Sequence, residues 1–394
     1  MKKWLFFGLF FFYIIKIYAQ DFTLNSGKIT QKEFFEEISF ELEHEKIVIP
    51  ISIAGKSYRF LLDTGAPNVV SKSLANILYS SDKKELDVYD SNNLNKKMEM
   101  IPLPEMKLGS LLFKDGAAIV ADLDNHFFLK CYKLDGFVGS NFFKNAVLQV
   151  DYKAQKIRIS NTIKSFSPQS KGKSMKLIGP QIAPYITLKH ENEIGYTASE
   201  QVLLDTGMDG LYDMSNRVYN TFQKGGIVQT LSESNGISGM GLFEKIEPTA
   251  HRLIKLHKIQ LNNTSFIGLV TETMDDDNSR IGLNAFQYGK VTLDFDKKKW
   301  YYEASNVIEV SQKKSIISQT FIDQKFVVGN IWDDAYKSKL QFGNRILRID
   351  KFYLENLTVC AILDIKKHIK TLSSYEIDIL NDSGETVTIK INNL

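Results

Sequence analysis

Cysteine is almost absent from this chain: 394 residues contain only Cys131 and Cys360. So small a number excludes a disulfide-knotted scaffold and a cysteine-built metal centre. The pair itself leaves two readings open, a disulfide formed in an oxidising compartment or two buried free thiols in different domains. Histidine is scarce too. His251 and His257 stand six apart, and His44, His126, His190 and His368 are isolated, so no metal and no other cofactor is expected. Net charge is equally thin. The formal +3 comes from 49 basic and 46 acidic residues, and removing Lys2, Lys3 and Lys16 leaves 46 of each. A neutral chain carries no electrostatic signature for nucleic acid or an anionic membrane.

Those three lysines belong to a distinctive N-terminus. Lys2 and Lys3 precede an apolar stretch from Trp4 to Ile15, Lys16 interrupts it, and Ala19 fits a cleavage site before Gln20. Residues 1–19 read as a secretory signal peptide, with an uncleaved anchor as the other reading. The stretch is short for a membrane span. The expected location is secreted or periplasmic, in a bacterial envelope, with no membrane span after signal removal. Residues 20–44 form an N-terminal segment in which Phe34-Phe35-Glu36-Glu37 suggests a short amphipathic helix.

What the chain does contain is one phrase written twice. Phe60-Leu61-Leu62-Asp63-Thr64-Gly65 returns as Val202-Leu203-Leu204-Asp205-Thr206-Gly207. Each copy follows a strand-like segment, Ile47 to Ile53 and Tyr185 to Leu188, and Ala54-Gly55-Lys56 reads as the turn of a first hairpin. Downstream landmarks keep register. Gly139 lies 76 residues after Asp63 and Gly282 lies 77 after Asp205; Asp151 and Asp294 follow at 88 and 89. A duplicated domain of about 140 residues accounts for this spacing.

With both motifs in view, the chain resembles the bilobal aspartic peptidases over about residues 45–303, with a retroviral-peptidase flavour in Asp63-Thr64-Gly65-Ala66. Phe137-Val138-Gly139 matches the apolar-apolar-Gly element that braces the catalytic loop in that family, and Arg280-Ile281-Gly282 matches it in its second and third positions. The resemblance implies a mainly β chain with two duplicated barrel-like lobes facing a cleft, lobe one over 45–160 and lobe two over 161–304. It implies Asp63 and Asp205 as the catalytic pair, sharing one proton and activating one water. Thr64 and Thr206 would lock the two loops together, while Gly65 and Gly207 would let backbone N–H groups approach the carboxylates. Ala66 and Met208 stand where pepsin-like enzymes carry Ser or Thr. Without that hydroxyl, and with Asp209 nearby, a raised pKa for the pair and a less acidic optimum are expected. Ser234 to Gly241, with Gly236, Gly239 and Gly241, is a candidate flap, with a plain solvent loop as the other reading. The lobe-one counterpart, Asn92 to Pro104, has no glycine.

Residues 305–394 lie outside the duplication. A strand at Phe326 to Ile331, a short helix at Asp334 to Leu340, a second helix at Leu363 to Lys370 and a hairpin around Asp382-Ser383-Gly384 resemble a bacterial PDZ domain of α+β type. Lys339, Asn344 and Asp350-Lys351 depart from that family's pattern, and Ser315 to Phe321 lacks the glycine expected of a loop that cradles a peptide C-terminus.

Three functions follow from these resemblances. The leading one is an aspartic endopeptidase acting on peptide or protein substrates, with a monomer sufficient because one chain supplies both aspartates. The second is a weak or inactive homologue that binds peptides in the cleft or through the PDZ-like domain. The third is a factor that cleaves only its own segment 20–44.

Overall fold

In the computed structural model, residues 22–237, 239, 241–243, 247–310 and 314–393 are described. The expected signal segment, 1–19, lies outside them. The architecture is mainly β, with barrel-like sheets of the kind expected for aspartic-peptidase lobes. The described strands form an 11-stranded, a 14-stranded and a 6-stranded sheet.

The first hairpin pairs Lys46–Ile53 with Lys56–Asp63 in antiparallel register, Val48 opposite Leu61 and Ile53 opposite Lys56. Side chains alternate sides along a strand. Ile47, Ile49, Ile51 and Ile53 therefore enter the main core together with Phe60 and Leu62, while Val48 and Leu61 pack on the other side of the sheet with Val69, Ile119 and Phe137. Burial on both faces explains why the run before Asp63 is continuously apolar.

The strand that ends in Asp63 is held from its other side by Gly136–Gly139, parallel to it, with Gly139 opposite Asp63. That brace is antiparallel to Val69–Ser71. Lobe two repeats the arrangement. Arg280–Ile281 runs parallel to Thr197–Leu204, with Arg280 opposite Leu203, and antiparallel to Tyr212–Ser215. A helix then follows in each lobe, Lys72–Leu78 and Asn216–Lys224. Ser71 Oγ accepts from Leu74 N at 3.1 Å, and Ser215 Oγ accepts from Val218 N at 3.1 Å, so both helices begin with the same cap.

Between the lobes, Val147–Asp151 pairs antiparallel with Gly289–Asp294, bringing Val147 opposite Asp294 and Val150 opposite Val291. Lys156–Ser160 and Lys299–Ala304 flank this centre. Phe35–Ser39 adds to Lys156–Ser160 as a strand. The amphipathic helix expected there is therefore corrected to an edge strand. Ile38 enters the main core, and Lys156 and Arg158 pair with Glu37 on the exposed side. A free sheet edge supplied hydrogen-bond partners that a short isolated helix could not match.

The C-terminal unit has its own core, including Val328, Ile349, Ile377, Ile379 and Ile391. Its helix Val359–Ile369 starts at the Thr358 cap, before the residues expected from sequence. Cys131 and Cys360 are joined in a disulfide, which ties this helix to the short helical turn Leu129–Tyr132 of lobe one. Against lobe two, Ser234 Oγ accepts from Ile331 N at 2.9 Å and Glu233 O accepts from Lys337 Nζ at 2.8 Å.

Candidate active site

The two Asp-Thr-Gly turns meet at the lobe interface in a reciprocal grip. Thr64 N donates to Thr206 Oγ1 at 3.0 Å and Thr206 N donates to Thr64 Oγ1 at 3.0 Å. Each hydroxyl then donates onward to the opposite strand, Thr64 Oγ1 to Leu204 O at 2.6 Å and Thr206 Oγ1 to Leu62 O at 2.8 Å. Both threonines are fully buried, so these four bonds satisfy groups that water cannot reach.

This grip brings the carboxylates together. Within each loop the glycine N–H donates to the preceding aspartate, Gly65 N to Asp63 Oδ1 at 2.9 Å and Gly207 N to Asp205 Oδ1 at 2.8 Å. Across the loops, each glycine lies against the other carboxylate. A methyl group on Gly65 would stand 2.9 Å from Asp205 Cγ, and one on Gly207 would stand 2.5 Å from Asp63 Oδ2. Only hydrogen fits at either position.

The surroundings of the two aspartates differ. Asp205 is 2% exposed and Asp63 is more open to the cleft. Arg280, the residue of the second brace that departs from the apolar pattern, donates from Nη1 to Asp205 Oδ2 at 2.5 Å and also pairs with Asp276. Burial opposes the guanidinium charge, but Asp205 and Asp276 outweigh it and hold Arg280 protonated. Lys46 pairs with Asp209 and donates to Gly207 O. Burial likewise works against its charge, and Asp209, Tyr132 and Asp205 more than restore it. The carboxyl of Asp63 is pushed up to about 7, first by burial and then by the charge of Asp205. The Gly65 N–H, Lys46 and Arg280 pull the other way.

A cleft of about 590 Å³ opens over the pair. Its walls include Leu61, Phe137, Tyr185 and Leu203. The hairpin Lys84–Tyr89 with Asn95–Pro102 reaches across it, and Tyr89, Asp90, Ser91 and Asn93 line the cleft. Its tip is a tight turn in which Asp90 Oδ1 accepts from Asn92 N at 2.9 Å and Leu94 N at 3.1 Å. Asp90 Oδ2 accepts from Phe243 N of lobe two at 2.8 Å. Of the candidate flap glycines, Gly239 and Gly241 line the cleft, and Gly241 lies against Asp90. Gly236 ends the strand Gln229–Gly236 and lies against Gly329 and Asn330 of the C-terminal unit.

Two groups escaped the sequence reading. Arg280 was visible only as a mismatch in an otherwise apolar brace. Lys46 opens the strand Lys46–Ile53 with no motif around it, and its partner Asp209 is 163 residues away. For the lobe-one hairpin a signal existed, since Asp90-Ser91-Asn92-Asn93 is a run of turn-forming residues between two strands.

Comparison with known proteins agrees with this site in its first half. The aspartyl protease family model matches residues 49–142, which carry Asp63, its hairpin and its brace, and supports protease chemistry for that segment. Among solved structures, the chain is similar to an aspartic proteinase from Irpex lacteus at 12% identity and a TM-score of 0.40, over 69% of this chain and 98% of that one. None of the curated proteins compared matches.

Proposed function

We propose that the protein is an aspartic endopeptidase that hydrolyses peptide bonds with a water activated between Asp63 and Asp205. The reciprocal approach of Gly65 to Asp205 and Gly207 to Asp63 carries this reading, because it supports two carboxylates facing one small space. Arg280 beside Asp205 and the raised pKa of Asp63 divide the roles. Asp205 is the carboxylate that takes a proton from the water as its oxygen attacks the carbonyl carbon. Asp63 gives its proton to the carbonyl oxygen. As the tetrahedral species collapses, Asp205 passes its proton to the leaving nitrogen and Asp63 recovers one from the gem-diol.

The pH dependence has a definite sign. Asp63 must hold its proton to act as acid, so the rate falls as pH rises through about 7. A secreted or periplasmic location is part of this proposal, supported by residues 1–19 and by a disulfide, which persists in oxidising compartments. The C-terminal unit is read as PDZ-like, on the strength of its small antiparallel sheet and its helix Val359–Ile369.

One observation favours the second reading, a weak or inactive peptide-binding homologue. Arg280 draws on the same Asp205 carboxylate that must accept the water's proton. Residues 20–394 would be compared with Asp63→Asn and Asp205→Asn on a diverse peptide library from about pH 3 to about pH 8. Each substitution is expected to lower cleavage by about a thousandfold. A folded wild-type protein that cleaves nothing would move the assignment to the binding reading.

A further inference from the structure

The cleft has a third wall. Beyond the two lobes, Gln319, Thr320 and Lys366 of the C-terminal unit line the same space as Asp63 and Asp205. This wall is fastened at several points. The disulfide joins the helix that carries Lys366 to lobe one. On the same helix Asp364 pairs with His44 at 3.3 Å, and just past its end Lys370 pairs with Glu45 at 3.1 Å. The rings of Phe127 and Phe321 meet edge to face at 5.4 Å. A unit held in this way is a fixed wall of the cleft.

Among the described residues, three cations line the cleft: Lys46, Arg280 and Lys366. Lys46 has Asp209, and Arg280 has Asp205 and Asp276. Lys366 differs. Its ammonium donates to the backbone carbonyl of Gln319 at 2.8 Å, and among the described residues no carboxylate lies within ion-pair distance. An ammonium has three donors, and this one contact leaves two for an incoming group. Burial, followed by the repulsion of Lys370, brings Lys366 down to about 8, against the weaker attraction of Asp209 and Glu272. The group is still protonated at neutral pH. A half-buried cation with no carboxylate in ion-pair contact gains more from an arriving anion than a fully exposed lysine would.

We propose that Lys366 is a specificity-determining residue of the cleft that binds a carboxylate of the substrate, an Asp or Glu side chain or a chain end placed away from the scissile bond. The inference rests on the peptidase reading for its place in the reaction, but the binding it describes can be measured separately.

The test uses fluorogenic peptides that differ only by Glu or Gln at each position in turn, together with free-acid and amide forms of the C-terminus. In the wild-type protein, kcat/KM should favour the acid member at one position by about tenfold. Lys366→Met keeps most of the stem and should bring that ratio to about one. Lys366→Arg should preserve the preference, and Lys366→Glu should turn it toward a peptide carrying Lys. A wild-type ratio of one at every position would overturn the inference, as would an acid preference that survives in Lys366→Met. If Lys366→Met does not fold, Lys366→Glu carries the same test, and an acid preference that survives there would overturn the inference. If the folded wild type cleaves no peptide, fluorescence anisotropy on the same set separates the two ideas. Acid-selective binding lost in Lys366→Met would uphold this subsite while the peptidase reading fails, and binding without acid selectivity would overturn the subsite itself.

Discussion

The two Asp-Thr-Gly loops share a backbone and differ in what faces their carboxylates. Both end a buried strand, both are braced by a parallel strand, and their threonines exchange matching hydrogen bonds. At the position of the brace one place before the apolar-Gly pair, lobe one has Phe137 and lobe two has Arg280. An apolar ring and a guanidinium at equivalent places make a symmetric frame electrostatically unequal. The turns are kept in duplicate, and what differs is the charge set beside Asp205 by the side chain of Arg280.

Making the two braces alike is the strongest way to break this comparison. Arg280→Phe would leave Asp205 and Asp276 without their common cation. Removing one partner of a buried ion pair costs about 3–5 kcal/mol. Arg280 is also one of the charges that hold the Asp63 carboxyl down. The alkaline limb of the pH–rate profile should therefore move upward from about 7 in any variant that folds, including the milder Arg280→Gln. An unmoved limb would mean that Arg280 plays no part in placing the proton.

A smaller effect tests the symmetric part. Thr206→Ala deletes the donor to Leu62 O and the acceptor for Thr64 N, and Thr64→Ala deletes the mirror pair. Each change strands two buried backbone groups and is expected to cost about 2–3 kcal/mol in denaturant unfolding. By the symmetry of the grip the two variants should agree within about 0.5 kcal/mol. A large loss in one and none in the other would show that one loop carries the frame.

How much of this could be read in the sequence follows the range of the interactions. The repeat, the hairpin before Asp63 and the Gly139 brace are local patterns of apolar residues ending in a turn, and their spacing is written along the chain. The capped helices Lys72–Leu78 and Asn216–Lys224 carry a local signal in Ser71 and Ser215. The strand Phe35–Ser39 is not legible locally, because its partner lies more than a hundred residues away and its own pattern is short. Lys46 with Asp209 and Arg280 with Asp205 are contacts between distant segments, and nothing in the one-dimensional pattern ties the partners together; Cys131 and Cys360 are the two cysteines of the chain, so their bond was one of the two readings open from sequence. Arg280 could still have been suspected, since a charged residue in a buried brace requires a buried partner.

The smallest expected effect separates the two aspartates most directly, because the two Asn variants should differ in sign. The Asp63 carboxyl is raised from the ordinary 3.8 to about 7. Between those values the folded chain holds a proton that the unfolded chain has released, so this group makes stability fall as pH rises through that window and level off above it. Asp63→Asn has no proton to lose. It keeps an oxygen for the Gly65 N–H but gives up the attraction of Lys46 and Arg280. With Asp63 also partly open to the cleft, the net gain above neutral pH should be about 1 kcal/mol, less than the shift alone suggests. Asp205→Asn removes the charge that Arg280 grips and leaves the guanidinium with Asp276 alone, so it should destabilise the protein at the same pH. Denaturant unfolding of both variants at about pH 8 reads the two signs side by side. Equal signs would mean that the carboxylates stand in equivalent environments, and the asymmetry attributed to Arg280 would be lost.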